Sequence, residues 1–345
     1  MKAAYYNSFK GDISIEILPD PEPTSSGVVI QLEASGLCLS DWHGWQGHDA
    51  DIKLPHVPGH ELAGIVVEIG NHVENFKLGD RVTVPFVGGC GQCRYCQSGN
   101  PQVCDHQFQP GFTAWGSFAE YVSIEYADIN LVHLPPEIDS VSAASLGCRF
   151  ATAYRAVKDQ GQLQDNQVLA VYGCGGVGLS CIQIGKALGA RVIAIDINKA
   201  KCDLAHELGA HHTINGSNTK AAKEVRDLSH GGADVSIDAL GHTETFLNSL
   251  HSLKKGGKHI QVGLMTEEHA HAAVPMSMII SNELEIIGSH GLQSFKYPEV
   301  FSLINEGGIE LNKMIKKHIT LEEVVTELPD LNAKSGPGIT MITEF

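Results

Sequence analysis

The stretch Gly89-Cys-Gly-Gln-Cys-Arg-Tyr-Cys-Gln-Ser-Gly-Asn-Pro-Gln-Val-Cys104 presents Cys90, Cys93, Cys96 and Cys104 with C-x2-C-x2-C-x7-C spacing. Gaps this short let the chain fold back so that four sulfurs surround one point, and Gly89, Gly91 and Gly99 permit the turns. The pattern reads as a closed four-cysteine zinc site. Disulfides are the alternative, disfavoured by the opening Met1-Lys-Ala-Ala-Tyr-Tyr-Asn-Ser8, which lacks the apolar core of a signal peptide. Four thiolates leave no open coordination position, so such an ion holds a loop and does no chemistry. The chemistry has to lie elsewhere.

A chain of 345 residues has room for two domains with separate cores. Its formal charge of −16, with no cluster of Lys and Arg, excludes a nucleic-acid footprint. No run approaches the ~18 apolar residues of a membrane span, so a cytoplasmic protein is expected. Nine cysteines suit that compartment if six are metal ligands, which leaves Cys174, Cys181 and Cys202 as buried small hydrophobes.

Up to about Leu146 the chain alternates short apolar stretches with Gly, Pro and Asp, as in Val28–Glu33, Ala63–Ile69, Arg81–Val84 and Glu120–Ile124. This predicts a compact β-rich domain. Beyond Cys148 strands alternate with helices. Helices are predicted over Ala151–Lys158, Val177–Leu188, Lys199–Leu208, Lys220–Leu228 and Thr243–Leu253. Strands are predicted over Val168–Tyr172, Val192–Asp196, Thr213–Ile214, Val235–Asp238, His259–Val262 and Glu285–Gly288. That order predicts an α/β fold with a doubly wound parallel sheet of about six strands. The tail from His290 to Phe345 is mixed, and its return onto the first domain is expected.

The strand Val168–Tyr172 runs straight into Gly173-Cys-Gly-Gly-Val-Gly178. Glycines of this spacing between a strand and a helix allow a tight turn, close approach of a pyrophosphate and close helix–strand packing. Gly173, Gly175, Gly176, Val177 and Gly178 are therefore the candidate dinucleotide-binding residues. Asp196 ends the next strand, where a carboxylate accepts hydrogen bonds from the adenosine ribose and repels a 2′-phosphate. NAD is favoured over NADP, although Lys199 and Lys201 stand close enough to moderate that preference.

In the first domain lie Gly36-Leu-Cys-Leu-Ser-Asp-Trp-His43 and Pro58-Gly-His-Glu61, with Cys148 at the domain junction. Cys38, His60 and Cys148 together would offer two thiolates and one imidazole and leave one position open, the ligand set of a catalytic zinc. Asp41 and Glu61 are candidates for supporting those ligands. Because neighbouring strand residues point to opposite faces, Glu61 is not expected to bind the ion together with His60 in the resting state.

Taken in order, these motifs resemble the zinc-dependent alcohol dehydrogenases of the medium-chain dehydrogenase/reductase family over almost the whole chain. The resemblance implies a GroES-like catalytic domain (residues 1–148 and 290–345), a Rossmann coenzyme domain (149–289) and an active site between them. It further implies two zinc ions per chain, NAD as coenzyme, and reversible hydride transfer between a zinc-bound alkoxide and that coenzyme. Ser40 and His43 become the proton relay, Phe86 a wall of the substrate pocket, and Asp196 and Lys201 the ribose contacts; a homotetramer is implied as well. Trp45 and Trp115 join Phe86 as candidate pocket walls, suited to medium-sized or aromatic primary alcohols. Polyol dehydrogenation on the same fold, and an NAD-binding zinc protein without turnover, are the alternatives. Relatives often carry basic residues that reach the pyrophosphate at positions matching Leu39 and Ile339 or Thr340; their absence here predicts loose coenzyme binding.

Overall fold

A computed structural model of the protein describes residues 1–217, 220–333 and 336–345. Strands β1 (Lys2–Tyr5) and β2 (Ser14–Ile17) form a small antiparallel ribbon at the N-terminus. The main sheet of the first half is built on β3 (Val28–Leu37), which pairs antiparallel with β4 (Glu61–Ile69) along almost its whole length. Outward from β4 lie β5 (Arg81–Thr83) and β7 (Val132–His133), while β6 (Tyr121–Ile124) pairs with the first half of β3. Val28, Ile30 and Leu32 of β3 point into one apolar cluster with Val66, Val82 and Val122, as period-two burial requires.

The second half forms a six-stranded, wholly parallel sheet. β8 (Val168–Tyr172), β9 (Arg191–Asp196), β10 (His212–Asn215), β11 (Ala233–Asp238), β12 (Leu253–Gln261) and β13 (Glu285–Gly288) lie in the order β10-β9-β8-β11-β12-β13. The order reverses beside β8, which places a crevice at the C-terminal ends of β8 and β11. Every residue of β8 is buried, as expected of a central strand covered on both faces.

Two predicted boundaries differ. The helix from Thr243 ends at His251, and β12 already begins at Leu253. Between the pairs Ala233↔Leu253 and Val235↔Lys258 the chain bulges through Gly256, whose φ of +70° suits glycine. The helix predicted over Ala151–Lys158 is a single α-helical turn, Ala151–Tyr154, flanked by π-helical turns at Leu146–Phe150 and Arg155–Gln160. Each π turn accommodates an extra residue, a local feature that hydropathy does not encode.

In the tail, the helix Tyr297–Glu306 packs with Leu179 and Ile182 of the helix Gly176–Ala187. The chain then forms β14 (Ile315–Thr320) and β15 (Ile339–Glu344), and β15 pairs antiparallel with Ser35–Leu37 of β3. One apolar cluster runs from Ala34 and Ala63 through Phe150 to Leu169 and Ile182, so the two sheets share a core.

Strands β3 and β4 approach so closely at Gly64 that a Cβ there would lie 2.0 Å from the Gln31 carbonyl oxygen. Gly64→Ala is expected to cost about 1–3 kcal/mol of stability, as overpacking does. Urea denaturation tests this; an unchanged midpoint would contradict the close approach.

Candidate metal and coenzyme site

Cys90, Cys93, Cys96 and Cys104 bring their sulfurs within 4.8 Å of one another, and all four are free thiols. Individual separations are 3.4 Å for Cys90–Cys104 and 3.6 Å for Cys93–Cys96 and Cys93–Cys104. Thiolates about 2.3 Å from a tetrahedral ion stand about 3.8 Å apart, whereas disulfide sulfurs are about 2.05 Å apart. The cage therefore fits zinc. Backbone N–H groups of Cys96 and Asp105 pull the Cys93 thiol down to about 6, which prepares a thiolate at neutral pH.

The second cluster is buried. Donor atoms of Cys38, His60, Cys148 and Glu61 lie within 4.8 Å of one another. Cys38 immediately follows β3 and caps the helix Leu39–Gln46, His60 immediately precedes β4, and Cys148 sits in the π-helical turn Leu146–Phe150. A hydrogen bond from the Cys148 thiol, together with His60, holds Cys38 well below the ordinary thiol range despite burial.

Asp41 fastens this cluster. It is 1% exposed. Its Oδ2 accepts the Cys38 N–H at 2.9 Å, and its Oδ1 accepts from Gly59 N–H at 3.1 Å and from His60 Nδ1 at 2.8 Å. With Nδ1–H committed to Asp41, His60 Nε2 carries the lone pair, and it is buried with no hydrogen-bond partner. An orphaned buried imidazole nitrogen beside two sulfurs is the donor set that zinc satisfies.

Glu61 brings a carboxylate oxygen within 4.8 Å of the other donor atoms. His60 lies outside the extended strand, so the alternation of side chains does not apply across the pair. Arg149 fixes the Glu61 carboxylate: its backbone N–H donates to Oε1 at 3.1 Å, and Nη2 lies 2.8 Å from Oε2 as an ion pair. Nη2 also donates to the Leu37 carbonyl. Burial raises Glu61 above the ordinary carboxylate range, and the adjacent Arg149 guanidinium opposes that shift by favouring the charged form. Arg149 Nη1 is buried without a partner, and the side chain lies across Gly176, where a Cβ would meet its Cδ at 2.2 Å.

Ser40 Oγ lies 3.7 Å from Cys38 Sγ, and His43 pairs with His48 through their Nδ1 atoms at 2.9 Å. Phe86 stands edge-on to His60 at 6.0 Å. Trp45 is packed with Leu37, Phe118 and Leu328, its Nε1 donating to Gly11 O. Trp115 is 38% exposed and donates to Pro55 O. Phe112, unremarked in the sequence, covers His60 more closely at 5.1 Å.

On the coenzyme side, Gly173 takes φ +93°, and a Cβ at Gly178 would lie 1.8 Å from the Gly173 carbonyl oxygen. A Cβ at Gly175 would meet nothing within 4 Å, which leaves the backbone open to a ligand, while Gly176 and Val177 begin the helix. Asp196 Oδ2 accepts the Cys174 N–H and Oδ1 the Asn198 N–H, both at 2.8 Å, so this carboxylate also braces the glycine turn. Lys201 follows in the helix Lys199–Glu207, and Lys199 is paired with Asp203. Cys174, Cys181 and Cys202 are buried, as expected.

Residues 24–136 match the alcohol dehydrogenase GroES-like domain, and residues 176–306 match the zinc-binding dehydrogenase domain. An alcohol dehydrogenase of Geobacillus stearothermophilus is 36% identical over 292 residues, 84% of each chain. The D-arabitol-phosphate dehydrogenase of Enterococcus avium is 33% identical, covering 88% of this chain and 86% of its own. The solved structure of alcohol dehydrogenase TADH from Thermus sp. ATN1 covers all of both chains with a TM-score of 0.91 and 26% identity.

Removing one member of a buried ion pair costs about 3–5 kcal/mol because the other charge is stranded. Glu61→Ala is expected to lose that much in urea denaturation. The double variant Glu61→Ala/Arg149→Met should recover a large part of it. Additive losses would mean that the two side chains are not coupled.

Proposed function

This chain belongs to the zinc-type alcohol dehydrogenases of the medium-chain dehydrogenase/reductase family, and from that premise we propose that it interconverts a primary alcohol, aromatic or of medium chain length, and its aldehyde using NAD. The observation that carries this reading is the buried convergence of Cys38, His60 and Cys148 with His60 Nε2 unpartnered. These three residues would hold a catalytic zinc, and Cys90, Cys93, Cys96 and Cys104 a structural one. When bound, the catalytic ion supplies Lewis acidity that eases deprotonation of an alcohol.

The remaining tasks fall to this chain's own groups. Ser40 accepts the hydroxyl proton and passes it toward His43. Asp41 orients His60, and Glu61 supports the cluster from below through Arg149. Phe86, Trp45 and Trp115 would shape the substrate pocket. Gly173, Gly175, Gly176, Val177 and Gly178 would cradle the pyrophosphate, and Arg149, whose Cδ and Nε lie against Gly176, would bring a cation near the glycine turn that Leu39 and Thr340 do not supply. Thr340 is the register partner of Leu37, whose carbonyl Arg149 holds, so the guanidinium reaches the same corner from another element. Asp196 and Lys201 would contact the ribose.

Nine free cysteines support action in the cytoplasm, and a homotetramer is carried over from the family resemblance. The arabitol-phosphate relative supports a polyol as second reading. A substrate panel of benzyl alcohol, medium-chain primary alcohols, sorbitol and arabitol phosphate, each with NAD, separates the two; turnover confined to the polyols would overturn the first.

Metal analysis should find two zinc ions per chain. Cys38→Ala should abolish turnover while NADH binding persists, and Cys93→Ala should lower thermal stability first. Normal activity in Cys38→Ala would refute the ligand assignment.

Coenzyme choice follows from charge: the wild type should prefer NAD, and Asp196→Ala should narrow or reverse the preference by removing both the ribose contacts and the repulsion of a 2′-phosphate. Equal kcat/KM for NAD and NADP in the wild type would refute the role given to Asp196.

A further inference from the structure

The helix Leu39–Gln46 ends at Gly47, whose φ of +82° turns the chain so that His48 N–H donates to the His43 carbonyl at 3.0 Å. This turn sets the two imidazoles side by side, with centroids 5.2 Å apart and Nδ1 atoms 2.9 Å apart. Trp42 stands edge-on to both rings, at 5.1 Å and 6.0 Å. On the far side of His48, Nε2 faces Glu267 Oε1 at 3.7 Å, and the Glu267 side chain is 74% exposed. Glu267 belongs to the segment between β12 and β13, so the row Glu267–His48–His43 links the second half of the chain to the first.

Two ring nitrogens at 2.9 Å share a single proton, one donating and the other accepting. A carboxylate only accepts, so Glu267 favours the proton on His48 Nε2. His48 Nδ1 is then bare and accepts from His43 Nδ1–H, and His43 Nε2 is left as a free base. We propose that His48 is the outlet of the proton path and that Glu267 sets the tautomers of both imidazoles so that His43 Nε2 can accept. The proposal rests on the reading of Ser40 and His43 given above.

The step balances. A proton bonds to His43 Nε2, the His43 Nδ1–H bond breaks as His48 Nδ1–H forms, and the His48 Nε2 proton leaves to water at the rim beside Glu267. Both rings end neutral in the opposite tautomer, the one that aldehyde reduction needs, and exchange of ring protons with water restores the start. The charged or titratable groups facing His43 are His48, Cys38 and Glu267, and burial followed by His48 lowers His43 from its ordinary value. A neutral His43 is thereby kept ready near neutral pH. His48 and Glu267 act through His43 and are positioning residues.

The test is made on the full-length protein. Histidine-labelled wild type, studied by 1H–15N correlation above the titration of both rings, should show His43 in the Nδ1–H tautomer, and His48→Phe should shift it toward Nε2–H. His48→Phe should leave NADH binding unchanged, slow alcohol oxidation in weak buffer by roughly tenfold or more, and recover on addition of free imidazole. A loss of packing would not respond to imidazole. Glu267→Ala should weaken the tautomer preference with NADH binding intact. His43 as Nε2–H in the wild type, or a His48→Phe rate that is unchanged or deaf to imidazole, overturns the proposal. A wild type that oxidises no alcohol with NAD brings down the functional reading, and the proton path with it.

Discussion

One buried carboxylate, that of Asp41, joins the parts of the first cluster. Its three hydrogen bonds reach Cys38 just after β3, the bend at Gly59 and the imidazole of His60. A carboxylate taken out of water survives only if its lone pairs are used. Here they are used by the groups that must stay in register for Cys38 and His60 to converge. The same Oδ2 bond completes a capping box at the start of the helix Leu39–Gln46, so the element bearing Ser40 and His43 is set by the residue that orients His60. Sequence places Asp41 between these functional positions; the fold makes it their common support.

The two sulfur clusters solve different problems. Cys90, Cys93, Cys96 and Cys104 come from one loop, so an ion held there would replace a core that the loop is too short to build. Cys38, His60 and Cys148 come from three elements, and their meeting depends on the antiparallel β3–β4 pairing and on the π-helical turn that carries Cys148. That turn also presents Arg149. Its backbone N–H and guanidinium grip Glu61, Nη2 holds the Leu37 carbonyl beside Cys38, and the aliphatic stem lies against Gly176. A single side chain thus spans from the metal-ligand cluster to the start of the helix at the glycine turn.

Much of this was legible in the sequence wherever local pattern and tertiary role coincide. The continuous apolar run Val168–Tyr172 is a strand because it is central and buried on both faces, and the glycines after it are spaced by the turn they make. Cys38, His60 and Cys148 could be grouped only by combining ligand chemistry with the coenzyme motif and the family resemblance. Glu61 was legible as a supporting group, but its approach to His60 was not, because strand alternation does not extend to His60, which precedes the strand. Arg149, a lone charge after Cys148 in an apolar segment, is the kind of signal that marks a buried partner. Phe112 and His48 lie in loops whose path is set by distant contacts, and no periodicity marks them. The π turns were invisible because hydropathy in that stretch is equally compatible with an ordinary helix.

Asp196 shows how one residue constrains two levels of structure. Its carboxylate takes the Cys174 and Asn198 N–H groups, tying the glycine turn after β8 to the helix that follows β9. Each carboxylate oxygen offers about two acceptor directions, so these two bonds fix the group while lone pairs remain for ribose hydroxyls. A carboxylate already held by backbone donors is preorganised: it loses little freedom when the ligand arrives. On the proposed reading, the same fixation would keep its negative charge where a 2′-phosphate would fall, so discrimination by charge would follow from the bracing that shapes the turn.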